Sequence, residues 1–146
     1  MQKKRFTVQE ANRMLPVLRE VVGAIQERLG WMTANRPQVD YLVKKHSVPM
    51  ESPVPHDYLA NLLAVRGALA RLESFGCQLK DVQMGLVDFP ARLSGREVLL
   101  CWSLEEDSVG FYHDLRGGYA GRRPIPGGRG SGEKDPGNEP SEEEGH

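Results

Sequence analysis

Thiol chemistry is scarce in this sequence: Cys77 and Cys101 are its only cysteines in 146 residues. They form no CxxC pair and have no histidine beside them, so neither a zinc-finger ligand set nor a disulfide framework is indicated. Both are expected to be reduced and to serve in packing, and no metal site or cofactor is expected. Long apolar runs are missing too. No stretch approaches the roughly 18 apolar residues that would span a bilayer, and residues 1–6 are basic with no hydrophobic segment behind them. The expectation is a cytoplasmic protein without a membrane partner. Net charge is small, at -1, but it is unevenly spread. From residue 126 onward two basic residues (Arg129, Lys134) stand against six acidic ones, so this tail carries -4 and the rest of the chain +3. A body charge of that size does not argue for nucleic acid, and none is expected as a partner.

What is present is an ordinary globular composition, 39% hydrophobic and 27% charged, over a length that suits one domain. Thr7-Val8-Gln9-Glu10 has the form of a capping box. Behind it Ala11, Leu15, Leu18, Val22, Ile25, Leu29 and Met32 recur at four-three spacing. That pattern predicts an amphipathic helix over residues 8–31, bent but not ended by Pro16, because the stripe stays in phase across it. Pro37, Pro49, Pro53 and Pro55 punctuate the next segment, where only a short helix over about residues 37–45 is read. A second long helix is predicted over 57–75, with Asp57 as N-cap and Gly76 closing it. Tyr58, Leu62, Val65, Leu69 and Leu72 repeat the four-three spacing, so the two helices should form an antiparallel hairpin, a pattern shared with coiled coils. Leu59, Leu63 and Phe75 widen the second helix's apolar surface, which is expected to meet a sheet.

Strands are predicted over 86–91, 96–104 and 109–114, joined by Ser94-Gly95 and by the acidic turn 105–108, as an antiparallel meander. A four-residue acidic turn sets Asp88, Cys101 and Tyr112 abreast. Pleating then puts Val87, Phe89, Val98, Leu100, Trp102, Phe111 and His113 on the helix-facing side. Asp88, Leu99, Cys101, Ser103, Tyr112 and Asp114 fall on the other. From residue 126 to the end, six Gly and three Pro occur among 21 residues, and this segment is expected to be disordered. The fold class is therefore α+β, one domain over residues 1–125 with a helical hairpin packed on a three-stranded antiparallel meander.

Several short motifs in order carry a family resemblance: Phe6-Thr7-Val8-Gln9-Glu10-Ala11-Asn12 with Leu15-Pro16, Leu79-Lys80-Asp81, Gly85-Leu86-Val87-Asp88-Phe89-Pro90-Ala91, Gly95-Arg96-Glu97-Val98, Leu100-Cys101-Trp102, Phe111-Tyr112-His113-Asp114 and Gly118-Tyr119-Ala120-Gly121-Arg122-Arg123-Pro124. Over about residues 5–125 the chain resembles the prokaryotic family DUF2203. The resemblance implies the same segmentation and brings no activity.

Among polar residues, His113 could serve as a base or metal ligand, since histidine titrates near neutral pH. Asp114 cannot orient it, because adjacent strand residues point to opposite faces. A hydrogen-bonded core histidine is the plainer reading. Asp88 in mid-strand needs solvent or a cation, because an unpaired buried charge is very costly. Arg122 or Arg96 could supply one, either as a structural clamp on residues 115–125 or as part of a ligand pocket. The run 117–123 offers amides and guanidiniums to an anion, but it lacks the ending of a P-loop and precedes no helix. His46 and His56, near Glu51 and Asp57, read as surface polar residues, and no nucleophile elbow or paired-carboxylate motif stands out. Two functions follow. The first is a non-enzymatic interaction module using the helix stripes for a homodimer or a partner helix. The second is a small-molecule or anion-binding protein with Asp88, Trp102, His113, Asp114, Tyr119 and Arg122 around one pocket.

Overall fold

A computed structural model describes residues 4–45 and 53–126 of the chain; the expected disorder of the tail falls, past residue 126, outside them. Helices α1 (Val8–Lys44) and α2 (Pro53–Phe75) precede strands β1 (Gln78–Asp81), β2 (Leu86–Leu93), β3 (Arg96–Ser103) and β4 (Phe111–Asp114), then a 3-10 turn (Tyr119–Gly121) and β5 (Arg123–Pro124). The strands form one antiparallel sheet in the order β1-β2-β3-β4-β5. The fold is α+β with five strands, so the three-stranded expectation is corrected. The two additions are edge strands of four and two residues, too short and too exposed for an alternating pattern to mark them.

The capping box forms as expected: Thr7 Oγ1 accepts from the Glu10 amide and Glu10 Oε1 from the Thr7 amide, each at 3.0 Å. Helix α1 does not stop near residue 31, and the short helix expected over 37–45 is its continuation. Pro37 removes one backbone donor, but Met32 remains in the core and Asn35 Nδ2 donates to the Trp31 carbonyl at 2.8 Å, so the helix carries through. Helix α2 begins earlier than expected, at Pro53. Pro53 and Pro55 lie in its first turn, where amides have no intrahelical acceptor and proline is tolerated, so Asp57 lies within the helix and is not its cap. Gly76 ends α2 as expected, with φ +96°.

Helix α1 packs on the sheet. Its buried stripe, from Val8 to Met32, joins Val87, Phe89, Ala91, Val98, Leu100 and Trp102 in one apolar core. Polar ties reinforce this seating: Gln26 Nε2 donates to the Val82 carbonyl, Arg19 to the Glu106 carbonyl, and the Val109 amide to Asn12 Oδ1. Helix α2 sits outside α1, giving Val65 and Leu72 to the core. The extra apolar surface of α2 does not meet the sheet as expected, since α1 already covers that face. Leu59 is 54% and Leu63 56% exposed, on the side of α2 turned away from Val65 and Leu72.

Hairpin β2–β3 has the expected two-residue turn, with Leu93 opposite Arg96. Ser94 (φ 52°) and Gly95 (φ 80°) are both left-handed, the requirement of a type I′ turn. Gly85 enters β2 at φ +65°, and a Cβ there would stand 2.8 Å from Leu104 Cβ. Gly85→Ala is therefore expected to destabilise the protein by about 1–3 kcal/mol in urea unfolding, from backbone strain together with the clash.

Candidate functional site

The second hairpin departs from the expected register, and this builds the site. Asp88 stands opposite Cys101 as read from the sequence, but Cys101 pairs with Phe111, not Tyr112, and Leu99 pairs with His113. The connection between β3 and β4 is longer than four residues because residues 104–110 are pinned individually. Glu106 Oε1 accepts from the Ser103 amide, the Glu106 carbonyl accepts from Trp102 Nε1, and Asn12 holds Val109. The one-residue slip exchanges faces along β4. Phe111 and His113 leave the helix-facing side and join Asp88 and Cys101, while Tyr112 moves to the helix side.

His113 Nε2 consequently lies 3.2 Å from Asp88 Oδ2, both side chains almost fully buried. The thiol of Cys101, also buried, completes a cluster whose three ligand-type atoms lie within 4.8 Å of one another. Lys80 Nζ is 3.9 Å from Asp88 Oδ2 at the sheet edge. Burial pushes the Asp88 carboxyl up from its ordinary range, opposed chiefly by His113 and then by Lys80 and the thiol. Asp88 Oδ1 has no hydrogen-bond partner among the described residues. On the other ring nitrogen, His113 Nδ1 is 2.8 Å from the Asp114 carbonyl and 3.1 Å from the Gly118 amide. The Gly118 N–H is aimed at Nδ1 as an acceptor, whereas the Asp114 carbonyl can only accept from a protonated Nδ1, so the two contacts call for opposite tautomers.

Residues 115–125 close over this face. Gly117 passes so near that a Cβ would lie 3.0 Å from Asp114 Oδ1 and 3.3 Å from His113 Cβ. Gly117 thus permits close cover of the histidine. The expected Arg122–Asp88 clamp is not formed. Because β5 pairs with Phe111 and Tyr112 at the outer edge, Arg122 is carried along β4 toward the acidic loop and pairs with Glu106. Its guanidinium lies 3.8 Å from the Phe111 ring centroid and 4.6 Å from that of Tyr119, with Nη1 3.9 Å from Cys101 Sγ. Arg96 is exposed on β3 and does not reach Asp88 either.

Of the six residues placed around one pocket by sequence, the structure brings together Asp88 and His113, with Arg122 and Tyr119 one layer above. Trp102 faces α1, where Arg19 stacks over it, and Asp114 is exposed, its carboxylate capping the Arg116 amide. Cys101, Lys80 and Glu106 were missed as site residues. Cys101 was already aligned with Asp88 in the sequence reading, which was the available signal. The cluster does not assemble a cysteine nucleophile with its base: His113 Nε2 faces Asp88, and burial drives the Cys101 thiol up to about 11. A separate hollow of about 290 Å³ lies between the hairpin tip and the closing segment, lined by Arg96, Tyr112, Asp114, Gly121 and Arg123 among others.

Fold and site together define a small α+β protein: one helix of a hairpin seated on a five-stranded meander, the opposite sheet face closed over a buried Asp-Cys-His cluster. The chain belongs to the family described as uncharacterized conserved protein (DUF2203), whose model matches residues 4–125. No curated protein and no solved structure matches it. No helix among the described residues is long and apolar enough to cross a membrane.

Proposed function

We propose that this protein is a non-enzymatic interaction module that pairs with a second copy of itself through the outward face of α2. The observation that carries this reading is the exposure of Leu59, Leu62, Leu63 and Leu69 on a helix whose other side is already in the core. Four exposed leucines gathered on one side of a helix form the kind of apolar patch that a partner covers. Residues 127–146 contain no aliphatic residue and no Phe, Tyr or Trp with which to cover it.

A second copy fits by shape and charge. Helix α2 has 23 residues, about 35 Å at 1.5 Å per residue. Between it and the free edge of β1 runs a groove of about 550 Å³ lined by Arg66, Leu69, Ala70, Glu73, Leu79 and Lys80 among others. An antiparallel pairing about a two-fold axis near Leu69 and Ala70 sets Arg66 of each copy against Glu73 of the other. It also drops Leu59 and Leu62 into the partner's groove. Helix α2 carries two arginines, one Asp and one Glu, so self-pairing meets no net repulsion, and a two-fold interface uses the same patch on both sides.

Native mass spectrometry of the full chain, run with and without denaturation, tests this. The expected result is a dimer for the wild type and a monomer, still helical by circular dichroism, for Leu63→Asp. Arg66→Glu and Glu73→Arg should each weaken the dimer by about 5–10-fold, and the double exchange should restore it. A monomeric wild type overturns the proposal. A small molecule released on denaturation would instead favour a ligand-binding reading, with the hollow beside Arg96 and Arg123 as its seat.

A further inference from the structure

We infer that Asp88, Cys101 and His113 form a three-ligand site for a divalent transition metal with the chemistry of zinc, built on three adjacent strands and closed over by residues 117–122. The three side chains supply oxygen, sulfur and nitrogen, the donor mixture that zinc accepts. They lie on β2, β3 and β4, so no linear ligand spacing marks them, and this is why the sequence alone excluded a metal.

The geometry supports the assignment at three points. Zinc–nitrogen and zinc–oxygen bonds of about 2.0–2.2 Å at the tetrahedral angle hold their donor atoms about 3.3–3.5 Å apart; His113 Nε2 and Asp88 Oδ2 stand at 3.2 Å. Metal-bound histidines characteristically donate their other ring N–H to a carbonyl or carboxylate, and the Asp114 carbonyl stands 2.8 Å from His113 Nδ1, placed to accept that proton in the metal-bound tautomer. That contact turns Nε2 toward Asp88 and Cys101. Finally, Asp88 Oδ1 is buried with no hydrogen-bond partner among the described residues, and a buried carboxylate oxygen left this way calls for a water, an ion or another bound group.

The two neighbouring cations are compatible with a metal. Lys80 is a half-exposed side chain at the sheet edge, and its flexible stem can leave when a divalent ion neutralises Asp88. Arg122 is held by Glu106, and its Nη1, 3.9 Å from Cys101 Sγ, favours the thiolate form of that ligand. A thiolate, a carboxylate and a divalent cation sum to zero charge, which suits a buried position. Binding releases the thiol proton of Cys101, and any proton on His113 Nε2, to solvent.

The test is a titration of the chelator-stripped full chain with Zn(II), and with Co(II) as a spectroscopic probe. One equivalent should bind, and Co(II) should show a thiolate-to-metal charge-transfer band. Cys77→Ser is expected to keep that band. Cys101→Ser should abolish it, and Asp88→Asn should weaken Zn(II) binding about 100-fold or more. With free Zn(II) at about 100 times its Kd, the melting temperature of the wild type should rise by roughly 10 °C, and that of Cys101→Ser should not. If Cys101→Ser fails to fold, the comparison of wild type, Cys77→Ser and Asp88→Asn decides. No uptake by the wild type, or a band lost with Cys77 instead, overturns the assignment.

Discussion

Trp102→Ala is expected to cost about 3–5 kcal/mol. Trp102 has no solvent exposure and lies at the centre of the seam between α1 and the sheet. Its ring receives the Arg19 guanidinium 5.3 Å from the centroid, and Nε1 donates to the Glu106 carbonyl at 2.9 Å. Truncation therefore leaves a cavity, a Glu106 carbonyl with only Arg19 as its donor, and a guanidinium without its platform. For a domain of this size the loss corresponds to a fall in melting temperature of roughly 10–20 °C. Trp102→Phe fills most of the space but still removes one hydrogen bond to the Glu106 carbonyl, and should lose about 1–2 kcal/mol. A drop below about 1 kcal/mol for the alanine variant would show that α1 does not seat on this residue.

Arg122→Ala is the second large effect, expected at about 2–4 kcal/mol by chemical denaturation. The Arg122–Glu106 pair is mostly shielded from solvent, and the same guanidinium lies over both Phe111 and Tyr119. Removing it leaves Glu106 without its cation and loosens the cover over β4. Arg122→Lys should recover less than half of the loss, since an ammonium cannot stack on two rings and pair with a carboxylate together. A double-mutant cycle assigns the partner. Arg122→Ala with Glu106→Gln should be strongly non-additive, by more than about 1 kcal/mol, whereas Arg122→Ala with Asp88→Asn should be close to additive. The reverse pattern would restore the clamp that the sequence suggested.

These two residues also show where the sequence was readable. The seat of Trp102 on the helix side followed from strand periodicity together with a two-residue turn whose chemistry fixes its length, so the β2–β3 register could be read directly. The site failed at the next connection. Nothing in Glu105-Glu106-Asp107-Ser108 announces that Asn12 on α1 and the Trp102 ring will pin that loop and lengthen it, because those partners are distant in sequence. One residue of slip was enough to move His113 away from Trp102 and against Asp88. Helix α1 was underestimated for a related reason: Pro37 reads as a breaker locally, while the packing of Met32 in the core and the Asn35–Trp31 hydrogen bond that carry the helix past it are seen only in the structure. The leucines of α2 were recognised as surplus to one seam, but their destination depends on which helix reaches the sheet first, and periodicity does not rank the two.

The pinning of the β3–β4 loop by α1 bears on the order in which the molecule can be assembled. Every strand pairs with its neighbour in the chain, so the meander can zip locally. Helix α1 cannot be finished that way, because the partners of Arg19 and Asn12 lie 87 and 97 residues downstream. At synthesis rates of about 5–20 residues per second, roughly 4–20 s separate the emergence of α1 from that of the loop that docks it. Until β2 and β3 emerge late in that interval, α2 is the nearest apolar cover for the α1 stripe. The newborn hairpin is thus the stage at which this protein is most open to aggregation and most in need of a chaperone.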